Sequence, residues 1–238
     1  MKDVLLSVII PAYNEEKRLK NTLEGVSGYL STQKYDFEII IVDDGSDDRT
    51  FKIAEDFTKN NPSKITVLRN EKNRGKGYSV KKGVLASKGE FVLFSDADLS
   101  TPIKEIDKLL GFIDKGYDIV IGSRSTAGSD VRIRQPLYRQ MMGKTFNLFV
   151  KALLFKDFND TQCGFKLFRG DVARTIAREL EIDGFCFDVE VLYIAKKKGY
   201  KIEEVGVAWV NSPQSKVQIV NSSIGMFFDL FKIRALHR

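Results

Sequence analysis

The sequence predicts an α/β domain in which helices flank a mostly parallel central sheet. Short apolar runs alternate with segments of helical periodicity through the first half of the chain, which is typical of parallel strands joined by crossover helices. Polar and acidic residues follow each apolar run. The length of 238 residues, of which 43% are hydrophobic, suits a single domain with its own core.

The first strand, helix and second strand can be read in order. Leu5–Ile10 is a continuous apolar run and predicts a buried strand. Glu15–Tyr29 predicts a helix because Leu19 and Leu23 lie at helical spacing. Phe37–Val42 is rich in isoleucine and valine, so it predicts a second buried strand.

The alternation continues through the next four elements. Asp47–Thr58 predicts a helix capped by its own first residue or by Ser46. Ile65–Arg69 predicts a third strand from its β-branched residues. Lys76–Ala86 predicts a third helix after a glycine turn, and the apolar run Phe91–Phe94 predicts a fourth strand.

Polar motifs follow all four predicted strands. Carboxyl ends of parallel strands meet at one edge of a sheet, where ligands of such folds bind. A turn or helix cap explains any one motif alone, but four at one edge predict a binding crevice. The motifs are Pro11-Ala12-Tyr13-Asn14-Glu15, Asp43-Asp44-Gly45-Ser46, the glycine-rich stretch 70–77, and Asp96-Ala97-Asp98.

Asp96 and Asp98 stand one residue apart directly after a buried strand. Two carboxylates this close repel each other unless a cation or a hydrogen-bond network compensates them. Mg²⁺ binds through one or two carboxylates and completes its shell with substrate phosphates and water. The pair therefore predicts a divalent metal site, with a loop in which one aspartate caps the next helix as the alternative.

Two further motifs have a chemical interpretation. An acidic residue after the second strand suits a ribose hydroxyl or a base amide. Gly75-Lys76-Gly77, at a helix start, would let backbone amides and a lysine approach a phosphate. The sequence lacks both the P-loop pattern and the glycine fingerprint of dinucleotide-binding domains, which disfavours those two classes.

The net charge of +6 is concentrated in one segment. Between Arg124 and Lys156 the chain has seven basic residues and one acid, Asp130. Such a block indicates phosphate, nucleic acid or an anionic membrane surface, with a solvated basic face as the alternative. Nucleic acid is disfavoured because the block matches no nucleic-acid-binding motif and is interleaved with large aliphatic residues.

Several other classes are disfavoured by composition. No uncharged apolar run is long enough to span a membrane, and no secretory signal is apparent, so a cytoplasmic location is expected. Cys163 and Cys186 have no metal-ligand spacing, and a disulfide is not expected in that compartment. His237 is the single histidine, which argues against histidine-based catalysis or a zinc site.

The run from Ser7 to Arg124 resembles glycosyltransferase family 2, the inverting nucleotide-sugar enzymes of the GT-A fold. The resemblance implies that fold for residues 1–238, with a nucleotide-sugar-binding half at 1–123 and an acceptor half at 124–238. The matching motifs are Ser7-Val8-Ile9-Ile10-Pro11-Ala12-Tyr13-Asn14-Glu15, Val42-Asp43-Asp44-Gly45-Ser46, Asn73-Arg74-Gly75-Lys76-Gly77, Asp96-Ala97-Asp98 and Gly122-Ser123-Arg124.

The resemblance also implies roles for individual residues. It implies that Asp96 faces the ribose or diphosphate, that Asp98 ligates Mg²⁺ or Mn²⁺ together with it, and that Asp44 is structural. Leu99 and Ser100 follow the pair, which leaves a third metal ligand unassigned. The residues implied to surround the nucleotide sugar are Pro11, Tyr13, Asn14, Glu15, Asp43, Asp44, Gly75, Lys76, Asp96, Ala97 and Asp98.

The second half of the chain narrows the resemblance to the dolichyl-phosphate β-glucosyltransferase branch. Relatives that make dolichyl-phosphate mannose typically carry a Pro-Thr-Ser-type sequence where this chain has Thr161-Gln162-Cys163. The resemblance therefore implies a UDP-glucose donor rather than GDP-mannose, and a polyprenyl-phosphate acceptor. It rests on residues 160–168 and 187–195, on Trp209 and on Ser215-Lys216.

A phosphate acceptor needs charge compensation more than a base. Its second pKa lies near ~6, so it is mostly ionised at neutral pH, and arginine forks suit its approach to a second anion. Arg124 and Arg139, with Lys144 behind them, are the predicted groups, and the last two match a basic pair of the lipid-phosphate branch. Arg132 and Arg134 would instead lie on a loop that closes over the donor.

Three acceptor-half residues are candidates for the sugar hydroxyls, namely Asp160, Gln162 and Asp188. A purely structural role for Asp188 is the alternative. Two other functions stay open at this point. One is a family 2 enzyme with a hydroxyl acceptor and Asp188 or Asp160 as base, and the other is a non-catalytic nucleotide-sugar-binding protein.

A lipid-linked acceptor requires contact with a membrane surface. Residues 136–155 and 222–238 combine large apolar residues with basic ones, a composition typical of amphipathic helices that lie in a membrane interface. We expect reversible association with the cytoplasmic face. Core helices are the alternative for the first segment, and a homo-oligomer is the alternative for the second.

Overall fold

The computed structural model describes residues 4–60, 64–133, 136–211 and 219–238, with side chains of the last segment from residue 225 onward. The strands are β1 Leu6–Ala12, β2 Phe37–Asp43, β3 Ile65–Arg69, β4 Phe91–Ser95, β5 Ile119–Ser123, β6 Asp130–Ile133, β7 Phe165–Arg169, β8 Ile202–Gly206 and β9 Ala208–Val210. The helices are α1 Leu19–Ser31, α2 Thr50–Asn60, α3 Lys76–Ala86, α4 Ile106–Ile113, α5 Leu137–Leu153, α6 Gly170–Glu179, α7 Phe187–Lys197 and α8 Ile219–Leu236.

Seven strands form one mixed sheet in the order β3-β2-β1-β4-β7-β5-β8. β7 pairs antiparallel with both of its neighbours, and the other pairings are parallel. The predicted mostly parallel sheet is therefore confirmed, with one reversed strand. β6 and β9 form a separate parallel pair beside it.

The register brings the predicted motifs to one edge of the sheet. Ala12 pairs with Asp43, and Asp43 pairs with Arg69, so the carboxyl ends of β1, β2 and β3 are level. β7 runs the opposite way, and Ser95 pairs with Phe165 at its start. The residues that precede β7 therefore reach the same edge as the end of β4.

Apolar side chains on both faces of the sheet form the core. Neighbouring residues of β1 point to opposite faces, so Ile9 packs in one buried cluster and Ile10 in the other. Both side chains are fully buried, and each such burial stabilises the fold by ~1.5–3 kcal/mol. This two-sided burial explains why β1 reads as a continuous apolar run.

Two predicted helix starts are wrong, and tertiary hydrogen bonds explain why. α1 begins at Leu19 rather than Glu15, because Asn14 has φ +55° and its amide donates to Ser46 Oγ. α2 begins at Thr50 rather than Asp47. Its first amide donates to Asp48 Oδ1 at 2.9 Å, so Asp48 serves as the cap predicted for Ser46 or Asp47.

Candidate active site

Asp43 lies at the end of β2 with its side chain fully buried. Arg69 Nε is 3.1 Å from Asp43 Oδ2. Asp43 Oδ1 is buried without a hydrogen-bond partner among the described residues. A buried acceptor without a donor is costly, so this oxygen is suited to accept a hydrogen bond from a ligand. Tyr13, at the mouth of the same crevice, is 41% exposed.

Both carboxylate oxygens of Asp44 accept hydrogen bonds from other groups of the protein. Its Oδ1 accepts from Asn70 Nδ2 at 2.8 Å and from the Arg74 amide at 2.9 Å, and its Oδ2 accepts from the Gly75 amide at 2.8 Å. These bonds hold the turn that precedes α3. The Gly75 amide is therefore not available to a phosphate, contrary to the prediction from the sequence.

The glycines of this turn are required by packing. Gly75 has φ +105°, and a Cβ at this position would lie 2.4 Å from the Asp183 carbonyl oxygen. A Cβ on Gly77 would lie 2.3 Å from the Ile182 carbonyl oxygen. The loop before α7 therefore fixes the start of α3 and the position of Lys76. Of the phosphate-binding groups predicted for this turn, the Gly75 amide is therefore occupied, and the Lys76 side chain stays a predicted phosphate contact.

The Asp96 carboxylate lies between the Lys76 ammonium and the backbone of Gly164. Lys76 Nζ lies 2.6 Å from Asp96 Oδ1. A Cβ on Gly164 would lie 2.0–2.4 Å from the Asp96 carboxylate, and the Asp96 amide donates to the Gly164 carbonyl at 3.0 Å. Gly164 belongs to the motif before β7, and no sequence pattern predicted its contact with Asp96.

We expect Gly164→Ala to weaken metal and nucleotide binding together by about 10–100-fold, because the new methyl group must displace the Asp96 carboxylate. Titration with Mn²⁺ and UDP measures this effect. Gly111→Ala, on α4, is the matched control, since a Cβ on Gly111 meets no atom within 4 Å. Equal affinities in wild type and Gly164→Ala would contradict this packing role.

Asp98 and Glu15 are linked through Arg18, which sequence reasoning did not single out. Arg18 Nη2 donates to Glu15 Oε1 at 2.6 Å, and Arg18 Nη1 is 3.8 Å from Asp98 Oδ2. Burial favours a neutral Arg18, but Glu15, Asp98 and Asp96 hold its pKa above the ordinary value. Asp98 Oδ1 accepts from the Ser100 amide at 2.9 Å, and Leu99 has φ +48°.

Asp188, at the start of α7, forms an ion pair with Lys166, another residue that the sequence did not single out. Lys166 is 1% exposed, and its Nζ also donates to the Cys163 carbonyl at 2.6 Å. Burial raises the pKa of Asp188, although Lys166 and Lys76 oppose this shift. Asp188 thus faces the same charge cluster as Asp96.

The carboxylates at the end of β4 fit a divalent metal that shares its shell with a substrate. Among residues 4–60, 64–133, 136–211 and 219–238, no three His, Cys, Asp or Glu side chains form a ready-made metal site. Asp96 and Asp98 supply two hard oxygen ligands, the number with which Mg²⁺ commonly binds beside substrate phosphates. The remaining oxygen ligands would therefore come from a bound substrate and from water.

A second cavity, of about 430 Å³, lies between α5 and the β6–β9 pair. It brings together five residues that the sequence assigned to the acceptor or the sugar, namely Arg124, Arg139, Lys144, Asp160 and Gln162. Arg139 Nε is buried and makes no hydrogen bond among the described residues. The wall also contains Ser125, Val131, Gln140, Gly143, Asn147, Asn159, Thr161 and Trp209.

Arg124 and Asp160 form a bidentate ion pair at the base of this cavity. Arg124 Nε and Nη2 lie 2.7 and 2.8 Å from the two oxygens of Asp160, and the Arg124 amide also donates to Asp160 Oδ2. The Arg124 guanidinium lies 5.5 Å from the Trp209 ring centre. Burial opposes ionisation of Asp160, but Arg124 holds its pKa below the usual range.

We expect Asp160→Asn to lower the free energy of unfolding by about 1–3 kcal/mol at pH 7, because it leaves the partly buried Arg124 guanidinium without its counter-charge. The folded-state pKa of Asp160 is depressed, so its contribution is complete above the unfolded value of about 4 and is lost as pH falls through the lower folded value. Urea unfolding at several pH values tests this, with exposed Asp171→Asn as control. If wild type and Asp160→Asn still differed in free energy of unfolding at the lowest pH, the assigned role of the ionised Asp160 carboxylate would be wrong.

Three groups of predicted residues remain. Arg132 lies on strand β6 rather than on the predicted loop, and it is paired with exposed Asp130 at 2.8 Å. Arg134 and Ser215-Lys216 lie outside the described residues. Pro11 and Ala97 are buried in the strand-end walls of the crevice, and the Ala97 carbonyl accepts from Thr22 Oγ1 at 2.6 Å.

Comparison with known proteins agrees with the fold and the motifs. The family model "Glycosyl transferase family 2" matches residues 7–177. The chain is 40% identical to a dolichyl-phosphate beta-glucosyltransferase of Dictyostelium discoideum over 98% of this chain and 74% of that protein. It is 35% identical to the Homo sapiens protein of that name, over 96% of this chain and 74% of that protein.

Solved structures share the fold at low sequence identity. Glucosyl-3-phosphoglycerate synthase of M. tuberculosis superposes with a TM-score of 0.70 at 19% identity, covering 97% of this chain and 79% of that one. Mannosyl-3-phosphoglycerate synthase of Rubrobacter xylanophilus gives 0.67 at 18% identity, covering 98% and 73%. The predicted GT-A fold and the resemblance to the dolichyl-phosphate β-glucosyltransferase branch are confirmed. The chain belongs to glycosyl transferase family 2 and is a hexosyltransferase.

Proposed function

We propose that this enzyme transfers glucose from UDP-glucose to a polyprenyl phosphate of the dolichyl type, with inversion at the anomeric carbon and with Mg²⁺ or Mn²⁺. The names of the relatives support the glucosyl group and the lipid phosphate. A fold neighbour was crystallised with Mn²⁺ and UDP, which supports a uridine nucleotide and a divalent metal. The donor would occupy the crevice at the ends of β1, β2 and β4.

On the donor side, each residue has a distinct task. Asp43 Oδ1 would accept a hydrogen bond from the base, and Tyr13 would cover the nucleotide. Asp96 and Asp98 would hold the metal, which neutralises charge on the leaving diphosphate. Lys76 would contact the same phosphates. Gln162 lines the acceptor cavity, and Asp188 belongs to the charge cluster around Asp96. We propose that both side chains contact the sugar hydroxyls.

The single observation that carries the acceptor assignment is the basic cavity with the unpartnered Arg139 Nε. Arg124, Arg139 and Lys144 give it three cations, and among the described residues its one carboxylate is Asp160. Arg124 already neutralises Asp160, so the cavity keeps a net positive charge. An ionised phosphate monoester fits this charge, and it attacks without a general base because it is already deprotonated.

The same contacts disfavour a hydroxyl acceptor. A general base must be free to accept a proton and needs a pKa near neutrality. Both oxygens of Asp160 accept hydrogen bonds, and its pKa is held low. Burial raises the pKa of Asp188, but its Oδ1 accepts from the buried Lys166, and Asp188 does not line the acceptor cavity. Asp160 is therefore in the wrong form for a base, and Asp188 lies outside the cavity in which the acceptor would bind.

An apolar surface beside the cavity supports docking onto a lipid bilayer. α5 and α8 pack together, with the Phe149 and Phe227 rings 4.9 Å apart, and Phe228 and Phe231 are 65% and 48% exposed. Leu137, Tyr138, Met141 and Leu148 are exposed on α5. None of the helices in the described residues is both long and apolar enough to traverse a membrane. We propose that this surface rests on the cytoplasmic face.

We expect the double variant Phe228→Ser/Phe231→Ser to lower partitioning onto vesicles by about tenfold or more, because each phenylalanine contributes ~1.5–3 kcal/mol when buried. Co-sedimentation with phosphatidylcholine–phosphatidylserine vesicles measures this effect, and added salt should weaken binding of the wild type. Leu85→Ser, at an exposed position on α3, is the matched control. Unchanged partitioning of the double variant would contradict the proposed surface.

The acceptor assignment is tested by comparing a short polyprenyl phosphate with the corresponding polyprenol in detergent. With UDP-glucose and Mn²⁺, we expect glucosyl transfer to the phosphate and none to the alcohol. Transfer to the alcohol at a comparable rate would contradict the assignment. Nucleotide binding without transfer to either would favour a non-catalytic nucleotide-sugar-binding protein.

A further inference from the structure

The charge cluster under the metal-binding carboxylates is compensated by basic side chains of the protein itself. Arg18 joins Glu15 to Asp98, Lys76 lies against Asp96, and Lys166 pairs with Asp188. Four carboxylates against three cations leave a formal charge of −1. A divalent metal alone would turn this charge to +1 and would compete with Lys76 for Asp96.

Lys76 is positioned beside Asp96 by its backbone and by two aromatic rings, and its side chain is 21% exposed. It is the first residue of α3, and the packing of Gly75 and Gly77 against the loop at 182–183 fixes its backbone. Its Nζ lies 5.1 Å from the Phe94 ring centre and 6.0 Å from that of Phe187.

We propose that Lys76 is an exchangeable counter-ion: it neutralises Asp96 when no nucleotide is bound, and its ammonium moves to the diphosphate when the metal takes Asp96. This inference rests on the proposed function. The exchange keeps the cluster close to neutral in both states, because the diphosphate brings the negative charge that Lys76 then needs. Metal and nucleotide binding are thereby made dependent on each other, and the dependence is reciprocal.

Removing the charge of Lys76 is predicted to change two affinities in opposite directions: that for Mn²⁺ alone should rise, and that for UDP in the presence of Mn²⁺ should fall. Lys76→Met keeps the stem packed over the phenylalanine rings. It should bind Mn²⁺ in the absence of nucleotide about tenfold more tightly than wild type, since a unit positive charge beside the ligand is removed. The same variant should bind UDP in the presence of Mn²⁺ less tightly. A merely structural role would weaken both affinities.

The experiment is a Mn²⁺ titration of wild type and Lys76→Met, with and without UDP, with free Mn²⁺ measured by electron paramagnetic resonance. In wild type we expect UDP to tighten Mn²⁺ binding by roughly 100-fold, and in the variant by less than about a tenth of that factor. Lys76→Gln provides a second neutral variant. Lys52→Met removes an exposed charge on α2 and should behave as wild type.

The outcomes separate this inference from the proposed function. If wild type binds Mn²⁺ with UDP and neither neutral variant binds Mn²⁺ more tightly without it, the exchange role is wrong while the donor site stands. If wild type shows no UDP-dependent Mn²⁺ binding, the proposed donor site fails and the exchange role fails with it. Tighter Mn²⁺ binding and weaker UDP coupling in both neutral variants support the proposal.

Discussion

Asp98→Asn is expected to lower the rate of glucosyl transfer by about three orders of magnitude. The substitution keeps the size of the side chain and removes a charged oxygen ligand, and metal stabilisation of a leaving diphosphate is worth several kcal/mol, with each ~1.4 kcal/mol equal to a factor of ten. The hydrogen bond from the Ser100 amide to Oδ1 can persist, so the fold should be retained. Transfer of labelled glucose to polyprenyl phosphate measures the loss.

Mn²⁺ binding in the presence of UDP should be lost in parallel with the rate. Asp171→Asn, at an exposed position on α6, is the control and should keep full activity. A variant at position 98 that transfers glucose at the wild-type rate, with the same dependence on metal, would show that Asp98 is not a metal ligand.

Arg139→Met is expected to reduce kcat/KM for the lipid phosphate by about 100-fold, because a desolvated charge-assisted contact to an anion is lost. The affinity for UDP should be unchanged, since Arg139 lines the cavity between α5 and the β6–β9 pair and not the strand-end crevice. Initial rates at varied concentrations of a short polyprenyl phosphate in detergent separate the two effects.

The matched control for this variant lies on the same helix. Lys151→Met removes the same charge from α5. Lys151 does not itself line the cavity, although its Nζ contacts the wall residue Asn159 at Oδ1, at 3.1 Å. We expect its kcat/KM to stay within about twofold of wild type. Equal losses in the two variants would mean that the net charge of α5 matters and not the position of Arg139.

Local sequence patterns predicted the bounds of some strands and helices correctly. Ile65–Arg69 and Lys76–Ala86 have the predicted bounds because periodicity and glycine placement decide them. The start of α1 was wrong because Asn14 and Glu15 donate their amides to side chains more than 30 residues away. The reversal of β7 has no local signature, since a buried strand reads the same in either direction.

Residues of the site could likewise be predicted where strand order positions them, and not where contacts between distant segments do. Asp43, Asp96 and Asp98 follow strands, so the alternation of elements predicted their convergence. Arg18 and Lys166 escaped prediction because their partners are set by packing. Lys166 is the clearest case: a lysine within the apolar strand β7 is unusual in a core, and that composition alone was a signal that it has a buried acidic partner.

The proposed reaction is tested most directly by measuring sugar transfer from a panel of UDP- and GDP-sugars to a short polyprenyl phosphate. The assay is run with Mn²⁺ and, in parallel, with excess chelator. We predict that UDP-glucose is the preferred donor, that one UDP is released for each lipid-linked glucose identified by mass spectrometry, and that the chelator abolishes the reaction. Transfer only from a GDP-sugar, or undiminished transfer in the presence of the chelator, would contradict it.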